Sequence, residues 1–370
     1  MEIKIDKTTL YEGLSWVQSV VERKTTMPIL SNVLIEAKGS SVTLTATDLE
    51  VGVIGDLKAE VVTAGKMTVP AKGLYDMVKE LPDQKVLLRK CQNNWLELEC
   101  GRSRFKLVGM DPAEFPSLPK KQEGARFQLD GETLLGMLAK VDMAISSDET
   151  RYNLNGILIE TETKDEKNKL RFAATDGHRL SLCERELTKK IPLEQSVIFP
   201  RKGVVELKRM LEDKEGEVSF WVDPKQAAIE KDEKFLFVRL IDGQFPPYAQ
   251  VIPQKAKRVL SVSREELVRS LRRVAVVTTD RSRGVRFSLS PGHLEISANN
   301  PDLGEAKEEL TCQYKGGAFS TGFNAAYFLD CLAVLGDEQV VLQLGDEVAP
   351  CLIQSETDRG FTHVIMPMRI

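Results

Sequence analysis

The sequence predicts an α+β protein made of three tandem modules, each with two helices packed on antiparallel sheets. The 370 residues are 42% hydrophobic, which is enough for two or three packed cores. Motifs recur at intervals of 124 to 128 residues. Each third of the chain also carries the same order of strand and helix signals, so the modules are duplicates of one unit.

The repeat is clearest around a short Thr-Asp motif. Thr47 and Asp48 reappear as Thr175 and Asp176, 128 residues later, and more loosely at Asn299, a further 124 residues along. An apolar run precedes each copy at a similar distance. These runs contain Val33, Ile157 and Val285, which are 124 and 128 residues apart.

Two helices are predicted in each module from apolar residues at helical spacing. Amphipathic stretches around 10–21, 134–145 and 267–277 open the three modules. The third of these begins with a capping box, Ser263 and Glu266. The second helices follow at 74–81, 204–211 and 325–332.

Between the helices, short apolar runs alternate with polar residues and predict half-buried antiparallel strands. Examples are 41–44, 169–172 and 293–296. The segments 105–116 and 237–246 both end in Phe-Pro and precede polar linkers at 118–124 and 253–257. The expected modules are therefore 1–121, 126–253 and 257–370.

Composition excludes several classes of protein. With 51 Lys and Arg against 55 Asp and Glu, the net charge of -4 does not suit a generally basic nucleic-acid binder. Three histidines make metal chemistry a poor expectation, so we expect no metal and no cofactor. The six cysteines have no C-x-x-C spacing and are expected to be reduced and mostly buried. Without a signal peptide or membrane span, the chain is expected to be cytoplasmic.

No motif indicates an enzyme. The phosphate-loop, nucleophile-elbow and zinc-protease patterns are absent from the sequence. Asp176 and His178 are the best candidates for an acid/base pair, which keeps a hydrolase open as an alternative. A loop after a strand is favoured, because Asp48 occupies the same repeat position without a histidine.

Charge and apolar patterns suggest assembly. A basic strand contains Arg102, Arg104 and Lys106, whereas the third module has an acidic stretch containing Asp302 and Glu305. Opposite charges at opposite ends favour head-to-tail pairing, with nearby apolar candidates. Ordinary mixing of surface charges explains the pattern equally well. The apolar candidates are Val276 and Val277.

The C-terminal tail places Met366 and Met368 around Pro367. Flexible thioethers suit surfaces that accept varied partners. The alternative interpretation is a final core strand.

Several motifs in order closely resemble one known family. They are Met27–Asn32, Arg151–Gly156, Ala174–Leu180, Pro200–Gly203 and Met366–Arg369. Together, over the whole chain, they resemble the bacterial sliding clamps, the beta subunits of DNA polymerase III.

The resemblance implies three clamp modules per chain and a head-to-tail homodimer that closes a six-module ring around duplex DNA of any sequence. Such a protein is not an enzyme. It tethers the polymerase to DNA and raises its effective local concentration. The implied partners are the DNA polymerase III alpha subunit, the clamp loader, and other polymerases and repair proteins that carry short clamp-binding peptides. A protein-binding scaffold that forms no ring remains the alternative.

The resemblance also implies site residues, and the chain departs from the family pattern at Lys24, Asn153, Gln250 and Pro350. Expected DNA contacts are Lys24, Arg151 and Tyr152, then Lys72, Arg201 and Lys202. The expected peptide groove comprises Leu154, Thr175, Gly177, His178, Arg179, Leu180, Pro246, Val251, Asn324, Tyr327, Val348, Val364, Met366, Pro367, Met368 and Arg369.

Overall fold

A computed structural model describes residues 1–21, 26–119, 125–164, 167–188, 190–193, 195–213, 215–278 and 283–370. The chain divides into two compact units. The first comprises Met1–Leu134 with Lys202–Leu240, and the second comprises Leu135–Arg201 with Ile241–Ile370. Each unit therefore combines one terminal third of the sequence with part of the central third.

The predicted pair of helices occurs in each third. The six α-helices among the described residues are α1 (Lys7–Val17), α2 (Ala71–Lys79), α3 (Gly131–Val141), α4 (Arg201–Met210), α5 (Arg264–Ala275) and α6 (Ala325–Val334). The opening helices start three residues before the predicted stretches, because a helix can begin with a polar turn ahead of its first buried residue. The cap of α5 is confirmed, since the Glu266 N–H donates to Ser263 Oγ at 3.4 Å.

Strands make up most of the remaining regular structure, as the alternating pattern predicts. In chain order they are β1 (Glu2–Asp6), β2 (Asn32–Lys38), β3 (Ser41–Thr47), β4 (Val51–Lys58), β5 (Glu60–Thr63), β6 (Gly65–Pro70), β7 (Lys85–Lys90), β8 (Trp95–Cys100), β9 (Ser103–Val108), β10 (Ala125–Asp130), β11 (Gly156–Lys164), β12 (Lys167–Thr175), β13 (Arg179–Leu187), β14 (Val197–Pro200), β15 (Glu217–Val222), β16 (Gln226–Lys231), β17 (Lys234–Arg239), β18 (Arg258–Ser263), β19 (Gly284–Ser290), β20 (His293–Asn300), β21 (Gly304–Thr311), β22 (Phe319–Asn324), β23 (Gln339–Leu344), β24 (Cys351–Gln354) and β25 (Phe361–Ile365).

Each unit has one eight-stranded antiparallel sheet built from two sequence modules. In the first unit the order is β10-β15-β16-β17-β4-β3-β2-β6, with β4 and β17 joined at the centre. In the second unit the order is β14-β11-β12-β13-β25-β24-β23-β18, with β13 and β25 joined in the same way. The duplicated sequence therefore produces the same joint twice.

Two smaller sheets are each built from a single terminal module and lack the second module's strands. The order β5-β1-β7-β8-β9 occurs in the first unit and β21-β20-β19-β22 in the second. By strand order, β9 corresponds to β17 and β25, and β21 corresponds to β4 and β13. Each of β9 and β21 is the outer strand of its sheet, so it has one edge available for pairing.

The cores are apolar, and the cysteines belong to them. In the third module, the rings of Phe287, Phe323 and Phe328 pack with centroids 5.0 to 5.5 Å apart. All six cysteines are free and five are buried, as predicted. Burial raises the pKa of Cys183 to about 11, so this thiol stays protonated at neutral pH.

Candidate functional site

A tight loop links β12 to β13 and carries several of the predicted groove residues. Asp176 Oδ1 accepts the backbone N–H groups of His178 at 2.9 Å and Arg179 at 3.0 Å. Thr175 Oγ1 accepts the N–H of Gly177 at 3.1 Å. Gly177 has a φ of 87°, a conformation that glycine adopts without steric cost.

The same loop follows β3 in the first unit, which confirms the Thr-Asp repeat as a structural one. Asp48 Oδ1 accepts the N–H groups of Glu50 and Val51 at 2.9 and 2.7 Å. Leu49, which matches Gly177, also has a positive φ of 79°. Asp176 therefore serves the turn, as Asp48 does, rather than acting as the partner of a catalytic histidine.

Arg179 is held on several sides. Its Nε donates to Asp176 Oδ2 at 3.1 Å, and its Nη1 donates to Asp330 Oδ2 at 2.6 Å. The guanidinium lies 4.6 Å from the centroid of the Tyr327 ring. The His178 ring stacks with the same Tyr327 ring, and the two ring centroids are 6.5 Å apart. Three predicted groove residues are thus brought together beside α6.

The C-terminal tail joins this group after β25 ends at Ile365. The Met366 N–H donates to the His178 carbonyl at 2.9 Å, and the Met368 N–H donates to the Gly322 carbonyl at 2.8 Å. A Cβ on Gly322 would lie 2.5 Å from the Met368 carbonyl oxygen, so only glycine permits this approach. The tail beyond β25 is therefore an ordered surface segment rather than a core strand.

A small apolar cluster, which we call the floor, lies on the paired strands β13, β25 and β24, just before the tail. Its buried members are Leu180, Leu352 and Val364, and the partly buried Tyr248 and Ile252 pack against it. Leu180 and Val364 are direct partners in the β13–β25 pairing. Leu180 and Val364 are among the groove residues predicted from the sequence, whereas Leu352, Tyr248 and Ile252 are not.

The other predicted groove residues differ in how exposed they are. Leu154 is buried, whereas Val251 is 41% exposed and Val348 is 77% exposed. Asn324 caps α6, since its Oδ1 accepts the Ala326 N–H at 2.9 Å. Gly177, His178, Pro246 and Arg369 are exposed, and Thr175, Arg179, Tyr327, Met366, Pro367 and Met368 are intermediate.

A cavity of about 460 Å³ adjoins the loop and includes two of the predicted DNA contacts. Arg151 donates to the Asp176 carbonyl at 3.4 Å and pairs with Asp148 at 3.5 Å. Arg201, the first residue of α4, lies on the same cavity. The full lining is Asp142, Met143, Ile145, Ser146, Ser147, Asp148, Arg151, Asp176, His178, Arg179, Arg201 and Tyr327.

The remaining predicted DNA contacts differ in their exposure and in their ion pairs. Tyr152 is 58% exposed. Lys72 is exposed on α2 and pairs with Asp76 at 3.0 Å, one turn along the helix. Lys202 pairs with Asp48 Oδ2 at 2.8 Å, which partly neutralises its charge. Lys24 lies outside the described residues.

The residues predicted for chain pairing lie on or near the two outer strands. Arg104 and Lys106 are exposed on β9, with Arg102 in the preceding turn. Glu305 is exposed on β21, with Asp302 in the turn before it. Val276 and Val277 follow α5, and Val276 is 75% exposed.

His363 is the one described buried histidine and is unsuited to proton transfer. Burial lowers its pKa to about 3, and its Nδ1 lies 2.6 Å from Ser181 Oγ. Among the described residues, no group of three or more His, Cys, Asp or Glu side chains is arranged to hold a metal ion. No described helix is long and apolar enough to span a membrane.

Known proteins of one family match this chain over its full length. Residues 1–119, 128–247 and 249–369 match the N-terminal, central and C-terminal domains of the DNA polymerase III beta subunit. The beta sliding clamps of Caulobacter vibrioides and Escherichia coli are 35% and 32% identical to the chain, each with 100% of both chains covered.

Solved structures show the same similarity. A sliding clamp from Bartonella birtlesii, bound to griselimycin, has a TM-score of 0.97 at 36% identity, with 100% of both chains covered. The DNA polymerase III beta subunit of Pseudomonas aeruginosa has a TM-score of 0.92 at 36% identity, again with 100% of both chains covered.

Three tandem α+β modules that match the three clamp domains over the whole chain place it in the class of DNA clamps. Within that class, the chain belongs to the DNA polymerase III beta subunit family, the bacterial beta sliding clamps. It is a non-catalytic processivity subunit that binds DNA and the polymerase during replication.

Proposed function

We propose that the floor and the residues around it form the groove through which this clamp holds its protein partners. The observation that carries the proposal is the joining of the tail to the Asp176 loop, through the bond from Met366 to His178 beside the floor. An apolar base with a few fixed polar groups suits an extended peptide with Leu or Phe anchors. The proposed groove is the sixteen-residue set named from the sequence, together with Leu352, Tyr248 and Ile252.

We assign DNA contact to Lys24, Arg151 and Tyr152, with weaker contributions from Lys72, Arg201 and Lys202. Cations of this kind bind phosphates without reading bases, so the affinity should fall as salt increases. The ion pairs of Lys72 and Lys202 reduce what they can offer to a phosphate. This ranking distinguishes the stronger candidates from the weaker ones.

The chain is expected to close a ring by pairing β9 with β21 of a second copy. The argument is the repeat, because β17 pairs with β4 and β25 pairs with β13 in the two eight-stranded sheets. The matching register would bring Lys106 of one chain opposite Glu305 of the other, with Arg104 close by. Arg102, Asp302, Val276 and Val277 complete the proposed interface. Opposite charges directly across a strand pair are favourable.

We retain 1–121, 126–253 and 257–370 as the proposed module boundaries. The linker residues 120–124 lie outside the described residues. The cytoplasm is the proposed compartment, and the six free cysteines fit a reducing environment.

Retention on DNA tests the clamp function itself. The protein is loaded onto primed circular duplex DNA with a clamp loader and ATP, and retention is measured before and after the circle is cut. Retention on the circle and release after linearisation support a closed ring. Equal retention on both forms means that direct affinity holds the protein, which favours the scaffold that forms no ring.

A further inference from the structure

A polar socket on β11 and β12 holds the hydroxyl group of Tyr248. Tyr248 donates to Glu160 Oε1, and Arg171 Nη1 lies 3.5 Å from the Tyr248 oxygen. Arg171 also binds Glu160 at 3.1 Å. Burial and the neighbouring Glu160 carboxylate both raise the pKa of Tyr248, so the hydroxyl keeps the proton that it donates.

The socket is itself fixed by neighbouring strands. The register places Glu160 opposite Arg171 and Arg171 opposite Glu184. Arg171 Nη2 bonds Glu162 and Glu184, each at 3.0 Å. An arginine shared by three carboxylates on paired strands has little freedom to move, so the socket is a rigid reference point.

Tyr248 links that reference point to the proposed groove. Its ring packs against the floor residues Leu180, Leu352 and Val364. It also packs against a second apolar cluster, formed by Leu158, Ala173 and Ile198. Phe245 contacts Tyr248 edge to face, with ring centroids 6.2 Å apart.

Two of the predicted groove residues lie close to Tyr248 in the chain. Pro246 precedes it by two residues, and Val251 follows it by three, within a short 3₁₀ turn from Tyr248 to Val251. Neither residue can shift far while the tyrosine is held at both its ring and its hydroxyl. The segment 245–252, which we call the wall, is thus fastened to the sheet at one point.

We propose that Tyr248, held by Glu160 and Arg171, is a positioning residue that fixes the wall of the peptide groove before a partner binds. This proposal rests on the proposed groove and deepens it. A wall already in place spares the peptide the entropy cost of ordering it, and so strengthens binding. Losing the hydroxyl removes hydrogen bonds that involve charged groups, the stronger kind.

The test measures binding of a fluorescein-labelled decapeptide with Leu and Phe anchors by fluorescence anisotropy. Tyr248→Phe should raise Kd about fivefold to tenfold, which is about 1 to 1.4 kcal/mol. The amides of 248–252 should exchange hydrogen faster in the free Tyr248→Phe variant. Tyr11→Phe is the matched control, because it removes the hydroxyl that lies 3.0 Å from the Tyr75 hydroxyl in the first unit, and its Kd should equal the parent value.

Changes at Glu160 separate positioning from general destabilisation. Glu160→Gln keeps an acceptor for the tyrosine and should stay within about twofold of the parent Kd, whereas Glu160→Leu should match Tyr248→Phe. Combining Glu160→Leu with Tyr248→Phe should add nothing, because both break the same contact. If the two losses simply add, the shared contact is not the cause, and the proposal is wrong.

Met366→Asp distinguishes this proposal from the groove assignment. If Met366→Asp removes binding while Tyr248→Phe leaves Kd and exchange unchanged, the groove stands and the positioning role does not. If Met366→Asp also leaves Kd unchanged, the groove assignment itself fails.

Discussion

The two eight-stranded sheets have the same strand order, but their central joints are covered differently. At the first joint, Gly52 pairs with Phe237, and the Leu118 side chain lies so close that a Cβ on Gly52 would be 2.6 Å from Leu118 Cδ2. At the second joint, Leu180 pairs with Val364. The residue that corresponds to Leu118, three positions after the repeated phenylalanine, is Tyr248.

If the proposed groove is correct, this difference explains why a duplicated scaffold forms it at the second joint and not at the first. At the first joint the chain places its own leucine against a bare glycine and fills the space. At the second joint the equivalent side chain is drawn to Glu160 and Arg171 by its hydroxyl. The positions that match these two in the first sheet are Glu36, paired with Lys66, and Thr43, bonded to Asp56.

The largest expected effect is on peptide binding, when a charge is placed beside the floor at the second joint. Met366→Asp puts an unpaired charge beside the apolar floor. It should weaken binding of the decapeptide at least about a hundredfold. Peptide affinity is measured by fluorescence anisotropy. Analytical ultracentrifugation measures dimer formation, which the substitution should leave unchanged. Val62→Asp is the control, because this exposed valine on β5 belongs to the first unit. Parent-like affinity in folded Met366→Asp contradicts the assignment.

The first joint can be tested by overfilling it. Gly52→Ala should lower the free energy of unfolding by about 1 to 3 kcal/mol, because the new methyl group collides with Leu118. Leu118→Ala should relieve that collision, so the double variant should be more stable than the two single losses predict. Urea denaturation measures all four proteins. Strict additivity would mean that Leu118 does not cover Gly52 in solution.

The Thr-Asp loops of the two sheets hold different cations, which predicts different effects on DNA. Asp48 pairs with Lys202 at 2.8 Å, whereas Asp176 pairs with Arg179, and Arg151 has only a longer ion pair, 3.5 Å, with Asp148. Arg151→Ala should weaken DNA binding severalfold and lower the salt slope by about one. Lys202→Ala should change affinity by less than about twofold. The measurement is a salt titration of DNA affinity, and a larger effect for Lys202 would reverse the ranking.

The smallest effects concern pH, and they have opposite signs in the two units. In the turn before β25, burial raises the pKa of Asp358, but bonds from Lys140 and Arg185 outweigh it and lower the pKa. At the end of β16, burial lowers the pKa of Lys231, but Asp213 and Asp232 outweigh it and raise the pKa.

A lowered carboxyl pKa gives stability that is present above the usual value of 3.8 and is lost as pH falls through the folded value. A raised amine pKa gives stability that is present below the usual value of 10.5 and is lost as pH rises through the folded value. Asp358→Asn should therefore flatten the acid side of the stability profile, and Lys231→Met the alkaline side, each by under about 1 kcal/mol. Urea midpoints across pH check this, and equal slopes in the parent and the variants contradict it.

The sequence alone predicts those features that depend on local pattern. Alternation located the strands, helical spacing located six helices, and the Thr-Asp motif located the loops around Asp48 and Asp176. The end of α1 was misplaced, because apolar Val20 is buried beyond the helix and extends the pattern past Val17.

Contacts that depend on strand register could not be predicted from pattern. Glu160, Arg171 and Glu184 are scattered in sequence and become a cluster only when β11, β12 and β13 pair. Tyr248 and Leu118 look alike as single residues after Phe-Pro. The partners that they meet, Gly52 in one case and Glu160 with Arg171 in the other, are set by strand pairing and cannot be predicted from the local sequence.

The outer strands β9 and β21 limit the assemblies that chains joined through these strands can form. Because the two edges are different surfaces, no chain can satisfy both of its edges by a single contact with one partner edge. A row of chains joined through them always ends in one unpaired edge of each kind, however long it grows. Only a closed cycle leaves none, and it contains as many identical seams as chains. A two-chain cycle can therefore lose one seam and remain a single connected body.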